Sequence, residues 1–137
     1  MTAAFADSGY WIALINPEDR LHERANRLSK AQPNRRIITT DLVFVEVLNN
    51  FAKQGSQFRR IAASFIKTLQ RDRNVVRVNS DPLLFEKALE RYLARPDKAW
   101  SMTDCASFII MEEQALTEAF AHDIHFEQAG FQALMRP

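Results

Sequence analysis

Residues 36–50 read RIITTDLVFVEVLNN. The first five, RIITT, are β-branched and strand-like. Asp41 can then cap a strongly apolar helix reaching about Gln54, with Gly55 in the usual C′ position. A strand handing over to a helix is one βα unit, and the same alternation runs outward from it in both directions. Upstream, residues 2–6 read as a strand and YWIALI (10–15) as a short helix stopped by Asn16-Pro17. Residues 19–31 form a polar amphipathic helix with Leu21, Ala25 and Leu28 on one face, closed by Pro33. Downstream, Ser56 caps a helix whose Phe58, Ile61, Ala62, Phe65, Ile66 and Leu69 recur at 3-and-4 spacing. NVVRV (74–78) is a third strand. Asp81-Pro82 starts a helix that Pro96 ends. Ser101 and Thr103 precede a helix from about Asp104 to Gln114. LTEAFA (116–121) is a fourth strand and FQALM (131–135) a short fifth after Gly130. Strands alternating with helices imply βαβ units, hence an α/β fold: a three-layer α/β/α sandwich with a mainly parallel central sheet.

The 137 residues are expected to form a single domain, 1–137, with 47% apolar and 26% charged residues and no repeats or linkers. Apolar runs are far too short to span a bilayer, and the start MTAAFADSGYW lacks the basic region of a signal peptide. The lone Cys105 fits a reducing compartment, so the expected location is cytoplasmic with no membrane partner. The net charge of +1 is unevenly spread. Residues 53–77 carry Lys53, Arg59, Arg60, Lys67, Arg71, Arg73 and Arg77 against Asp72 alone, while residues 79–137 carry ten acidic and five basic side chains. A basic middle beside an acidic half suits a nuclease; the plainer reading is a set of solvated helix faces.

Four acidic residues fall where strands hand over to helices: Asp7 ends TAAFAD, Glu46 interrupts LVFVEVL, Asp104 begins DCASFIIM and Asp123 follows AFAH. In an open parallel sheet, sites form beyond the carboxyl ends of the strands, and all four can reach that rim. Carboxylates gathered in an interior repel one another and lose hydration, which calls for a divalent cation with oxygen ligands and so for phosphate chemistry. Each has a structural alternative. Asp7 and Asp104 can cap helices or complement their dipoles, and Asp123 can serve a turn. Glu46 resists such a reading, because it sits in mid-helix on an apolar face; pairing with Arg35 or Arg36 is its alternative.

With their neighbours, these residues resemble a known family. FADSGYWIALI, TTDLVFVEVLNN, WSMTDCASFIIM and HDIHFEQAGF are similar to the four motif regions of PIN-domain ribonucleases, nearest to the single-domain VapC-type toxins of prokaryotic toxin–antitoxin pairs. Ser101-Met102-Thr103-Asp104 and Asp123-x-x-Phe126-x-x-x-Gly130-Phe131 are the most specific parts, and the likeness runs to about Phe131. It implies a PIN-like fold, Mg²⁺ or Mn²⁺ as cofactor, and hydrolysis of RNA phosphodiester bonds leaving 5′-phosphate and 3′-hydroxyl ends. It also implies catalytic, metal-holding roles for Asp7, Glu46, Asp104 and Asp123. Ser101 and Thr103 would orient those carboxylates or contact phosphate. The partners implied are RNA (tRNA or rRNA among them), a small antitoxin protein, and a second copy in a homodimer through apolar helical faces. Two departures are Ala121-His122 before Asp123, where Thr or Ser is frequent, and Cys105 where Ala is common.

Other classes fit less well. Asp7-Ser8-Gly9 lacks the second Asp of a haloacid-dehalogenase-like phosphatase, and a receiver domain would want paired acids at strand 1 and a Lys after the last strand. A PIN-like RNA-processing nuclease without an antitoxin, or a catalytically silent RNA- or protein-binding module, are the alternatives within reach. His122 and His125 flank Asp123 in an H-D-x-H pattern that suggests zinc only superficially; both are expected on a loop, with His125 at the surface or near phosphate. His22 is expected to be exposed and Cys105 to be a buried small residue.

Overall fold

The computed structural model describes residues 2–137. Its elements in chain order are β1 (Ala4–Ala6), α1 (Ser8–Ile15), α2 (His22–Ala31), β2 (Ile37–Thr40), α3 (Asp41–Phe51), α4 (Ser56–Arg71), β3 (Val75–Val78), α5 (Pro82–Ala94), α6 (Met102–Glu113), β4 (Glu118–Phe120), α7 (Ile124–Gln128) and β5 (Gln132–Ala133). The five strands form one sheet in the order β3-β2-β1-β4-β5, and every pairing is parallel.

This order makes β1 a switch point. From β1 the chain moves outward to β2 and β3, then returns across the sheet to β4 and β5 on the other side. Right-handed crossovers in opposite directions place their helices on opposite faces. The register shows both faces filled. Ala6 pairs with Phe120, so their side chains share a face, and Phe120 meets Tyr10 of α1 at 5.0 Å between ring centres. Phe5 pairs with Ala119 on the opposite face, where Phe5 stacks on Phe126 of α7. The α1–α4 layer lies on one side and α5–α7 on the other, which is the expected α/β/α sandwich.

Several boundaries differ from the sequence expectation, each for a local reason. Thr40 rather than Asp41 caps α3, its hydroxyl accepting from the Leu42 amide. The Asp41 carboxylate instead takes the amide and hydroxyl of Ser80 at 2.7 and 2.8 Å, tying the start of α3 to the segment after β3. α3 ends at Phe51, and Gly55, at φ +96°, precedes α4 in a left-handed conformation that glycine adopts without steric cost. α6 begins at Met102, capped by Ser101, two residues earlier than expected. The segment expected to be a loop after β4 holds the five-residue helix α7. A span this short leaves almost no periodicity to read. His22 is half-buried, its Nδ1 2.6 Å from the carbonyl of Ala13.

The α5–α7 side is held by an aromatic cluster. Fully buried Phe108 meets Trp100 and Phe126 edge-on, each at 5.1 Å, and Phe131 at 5.8 Å. Truncation there removes several edge-to-face contacts and leaves a cavity. Phe108→Ala is expected to lower the unfolding free energy by about 3–5 kcal/mol in urea denaturation; a loss under about 1 kcal/mol would mean that the cluster is not a principal support.

Candidate active site

α1 after β1 and α7 after β4 lie on opposite faces of the sheet, and the four acids meet at the carboxyl ends of these two strands. Asp7 directly follows β1, its amide donating to the Phe120 carbonyl at 3.1 Å and so extending the β1–β4 ladder. The carbonyl of the preceding Ala6 accepts from the buried Thr39 hydroxyl at 3.1 Å, and that hydroxyl accepts in turn from the Trp11 indole. The strand end that carries Asp7 is therefore fixed from both neighbouring strands. Asp123 caps α7 just beyond β4, accepting the His125 amide at 3.1 Å. Asp104 is the third residue of α6 and completes a capping box. Its amide donates to the Ser101 hydroxyl and its Oδ2 accepts the Ser101 amide, both at 3.0 Å. Glu46 reaches in from α3.

All four line one cavity of about 570 Å³, together with Ser8, Ile12, Asn49, Asn50, Ala99, Ser101 and His125. Asp7 and Asp104 are each 7% exposed. Burial, followed by the charge of Asp104, pushes the Asp7 carboxyl up to about 8, with Glu46 and Asp123 adding to the effect. Burial also raises Glu46, and Asp104 and Asp123 act in the same sense, while the Ser8 and Thr103 hydroxyls act against it. Neither Arg35 nor Arg36 pairs with Glu46. Arg35 is buried and reaches Glu118 at 2.5 Å and the Thr2 carbonyl at 2.8 Å. Among the described residues, no arginine lines the cleft in which the acids meet.

The tightest subset is Asp104, Asp123 and His125, which can each present a ligand atom within 4.8 Å of the others. His125 was misplaced by sequence reasoning: it lies in α7 and not on a loop. Its Nδ1 is 2.9 Å from Asp104 Oδ2 and 3.2 Å from Asp123 Oδ1. In the tautomer that carries its proton on Nδ1, the ring donates toward both carboxylates and ties the two acids together. The available signal was its place on the first turn after Asp123, one residue before the fully buried Phe126. His122 points elsewhere, into a second cavity, so the H-D-x-H residues do not converge on one ion. Burial and the charges of Arg20, Arg136 and Arg24 hold the His122 imidazole below its ordinary range. Cys105, next to Asp104, is fully buried, and burial with the Asp104 charge pushes its thiol up. It is the inert small residue expected from the sequence.

The donor set is hard and oxygen-rich, the type that suits Mg²⁺ or Mn²⁺ rather than zinc. Asp104 engages protein donors through Oδ2 and Asp123 through Oδ1, so each has a second oxygen to offer. A cation would also relieve the repulsion that raises Asp7.

A pH dependence follows in the absence of metal. Asp7 holds a proton in the fold up to about pH 8 and releases it near the ordinary 3.8 when unfolded. Between those values the native state binds more protons, so stability is fully present below the unfolded value and is lost as pH rises through the folded one. Asp7→Asn removes that loss. In metal-free buffer its Tm is expected to exceed wild type by about 5 °C or more at pH 8.5 and to match it near pH 4. An equal Tm at both pH values would contradict the assignment of the raised group.

The family model for the PIN domain matches residues 4–132. The chain is 30% identical over 127 residues to the 23S rRNA-specific endonuclease VapC20 of Mycobacterium tuberculosis, in strains CDC 1551 / Oshkosh and ATCC 25618 / H37Rv alike; the match covers 93% of this chain and 94% of the relative. The fold is similar to the crystal structure of that organism's VapC20, described as a sarcin-ricin loop cleaving toxin, with a TM-score of 0.85 and 26% identity, covering 94% of this chain and 96% of the other.

Proposed function

Because the chain belongs to the PIN-domain family, among its VapC-type nucleases, we propose that it is an endoribonuclease dependent on Mg²⁺ or Mn²⁺, acting as the toxin of a toxin–antitoxin pair. The observation that carries this reading is the convergence of Asp7, Glu46, Asp104 and Asp123 on one cleft with no arginine among its lining residues. Helix caps alone would not need Glu46, nor drive Asp7 so far from its ordinary range.

In the proposed site the four carboxylates hold the cation, with Asp104 and Asp123 pre-set by His125. When bound, the ion supplies Lewis acidity toward the phosphate and acidifies a water for attack on phosphorus. The protein's own groups supply orientation. Ser101 fixes the rotamer of Asp104 through the capping box, the Thr103 hydroxyl lies against Glu46, and Asn49 and Asn50 offer carboxamides at the mouth of the cleft. The relative's ribosomal target makes large-subunit rRNA the first substrate to test. Products with 5′-phosphate and 3′-hydroxyl ends are expected.

Wild type should cleave an rRNA fragment containing the sarcin-ricin loop with Mn²⁺ or Mg²⁺ and be silenced by EDTA. Asp7→Asn and Asp104→Asn should each reduce the rate by about 10²-fold or more, in line with loss of a preorganised electrostatic group. Full activity in both variants, or cleavage in EDTA, would defeat the assignment.

A homodimer is part of the same proposal. Leu83, Phe85, Tyr92 and Leu93 of α5 are exposed, Leu93 by 69%, and Val45 and Leu48 of α3 add to the exposed apolar surface. Light scattering is expected to give twice the 15.8 kDa chain mass. The Phe85→Glu, Leu93→Glu double variant should return the single-chain mass; a dimer that persists in it would place the interface elsewhere.

A further inference from the structure

The wall that carries Asp7 and Asp123 has two sides. On one is the acidic cleft. On the other is a cavity of about 380 Å³ lined by Asp7, Ser8, Gly9, Leu21, His122, Asp123, Ile124 and Arg136. We infer that this second cavity is a phosphate subsite, gripping the RNA backbone one or two linkages away from the bond held at the acids. The inference rests on the nuclease reading above and adds the path that the strand takes across the site.

One guanidinium group lines the cavity, and two more, from a segment far off in the sequence, lie close to it. Arg136 lines the cavity, and its Nη1 donates to the His122 carbonyl at 3.0 Å. Arg24 Nη1 donates to the carbonyl of Met135, the residue before Arg136, at 2.6 Å. Arg20 precedes the lining residue Leu21 and is exposed, with no hydrogen bond or ion pair to any described residue. All three act electrostatically on His122. Two are held by backbone carbonyls, which fix an arginine without neutralising it. Among the described residues, the one ion pair these three make is that of Arg136 Nε with Glu127 at 3.5 Å, and Asp7 and Asp123 are the carboxylates that share the cavity lining. Arg35, Arg91 and Arg95 differ, each lying 2.5–2.9 Å from a carboxylate. Arg20 and Arg24 pair with no carboxylate among the described residues and Arg136 only at 3.5 Å, so all three keep N–H donors that match phosphate oxygens.

The arrangement also answers an electrostatic problem. A polyanion approaching four carboxylates is repelled until a cation binds, and a positive flank beside the acids offsets that repulsion along the strand's path. The basic run at 53–77, which the sequence made prominent, contributes no side chain to the lining of either cavity.

The test is RNA binding in EDTA, where cleavage is off, measured by anisotropy of a labelled rRNA stem-loop with the full chain. Arg20→Gln, Arg136→Gln and their double variant are compared with Arg59→Gln, Arg60→Gln on α4. The double variant is expected to weaken binding by about tenfold, and its slope of log Kd against log salt should fall by about 0.7 for each lost contact to single-stranded RNA. The α4 pair should bind as wild type does. Arg20 makes no internal bond, so its single variant reports on binding whether or not Arg136 also supports the fold. Unchanged Kd and slope in both single variants, or a loss confined to the α4 pair, would overturn the subsite. A protein that cleaves with metal yet shows either of those results loses only the subsite. One that never cleaves loses the nuclease reading instead.

Discussion

Removing several carboxylates from water at one point of a fold is costly unless something answers their charge, and the geometry around β1 follows from that constraint. The two flanking strands fix the end of β1, through the ladder bond to Phe120 and the Thr39 hydroxyl on Ala6. The backbone of Asp7 is thereby held where its carboxyl lines the same cleft as Asp104. Asp104 is itself tied down by the first turn of α6, and Asp123 by the first turn of α7. The acids stay together because each belongs to a different rigid element, and proton uptake by Asp7 is how the metal-free protein accommodates them. Preorganisation of this kind would leave little rearrangement for the cation and phosphate of the proposed reaction.

The charge pattern around that point is polarised rather than uniformly negative. Asp7 and Asp123 are shared by an acidic cleft and by a cavity bordered by His122 and Arg136, with Arg24 and Arg20 close behind. On the proposed reading, a nucleic acid strand crossing the wall would pass from the arginine side to the acidic cleft. Such polarity is invisible in the net charge of +1, because the residues concerned lie at positions 20, 24, 122 and 136.

Much of the architecture was legible because it depends on short-range signals. RIITT gave a strand by β-branching, Asp81-Pro82 gave a helix start, and Gly55 and Gly130 fall at turns with φ of +96° and +97°. The parallel sheet followed from alternation alone. The acids were legible as misfits, carboxylates placed where packing would favour an apolar residue, and Glu46 was the clearest. Long-range pairing was hidden. Nothing near Arg35 in sequence announces Glu118, and Asp41 could not be assigned to Ser80 without knowing that β2 and β3 are neighbours. His125 was missed for a related reason: its partner Asp104 is 21 residues away, and α7 is too short to register as a helix. The basic run at 53–77, read from the sequence as a set of solvated helix faces beside the nuclease alternative, lines neither cavity, since charge density in sequence does not say which side chains border a cleft.

Cys105 has a practical consequence for following this molecule at work. It is the only thiol, it is sealed inside α6, and its proton is held more firmly than usual. A maleimide dye or spin label at neutral pH would therefore pass over it and react with a cysteine introduced on the surface. Reporter pairs can be set on either side of the cleft without first mutating the native residue, so the helix that carries Asp104 stays untouched.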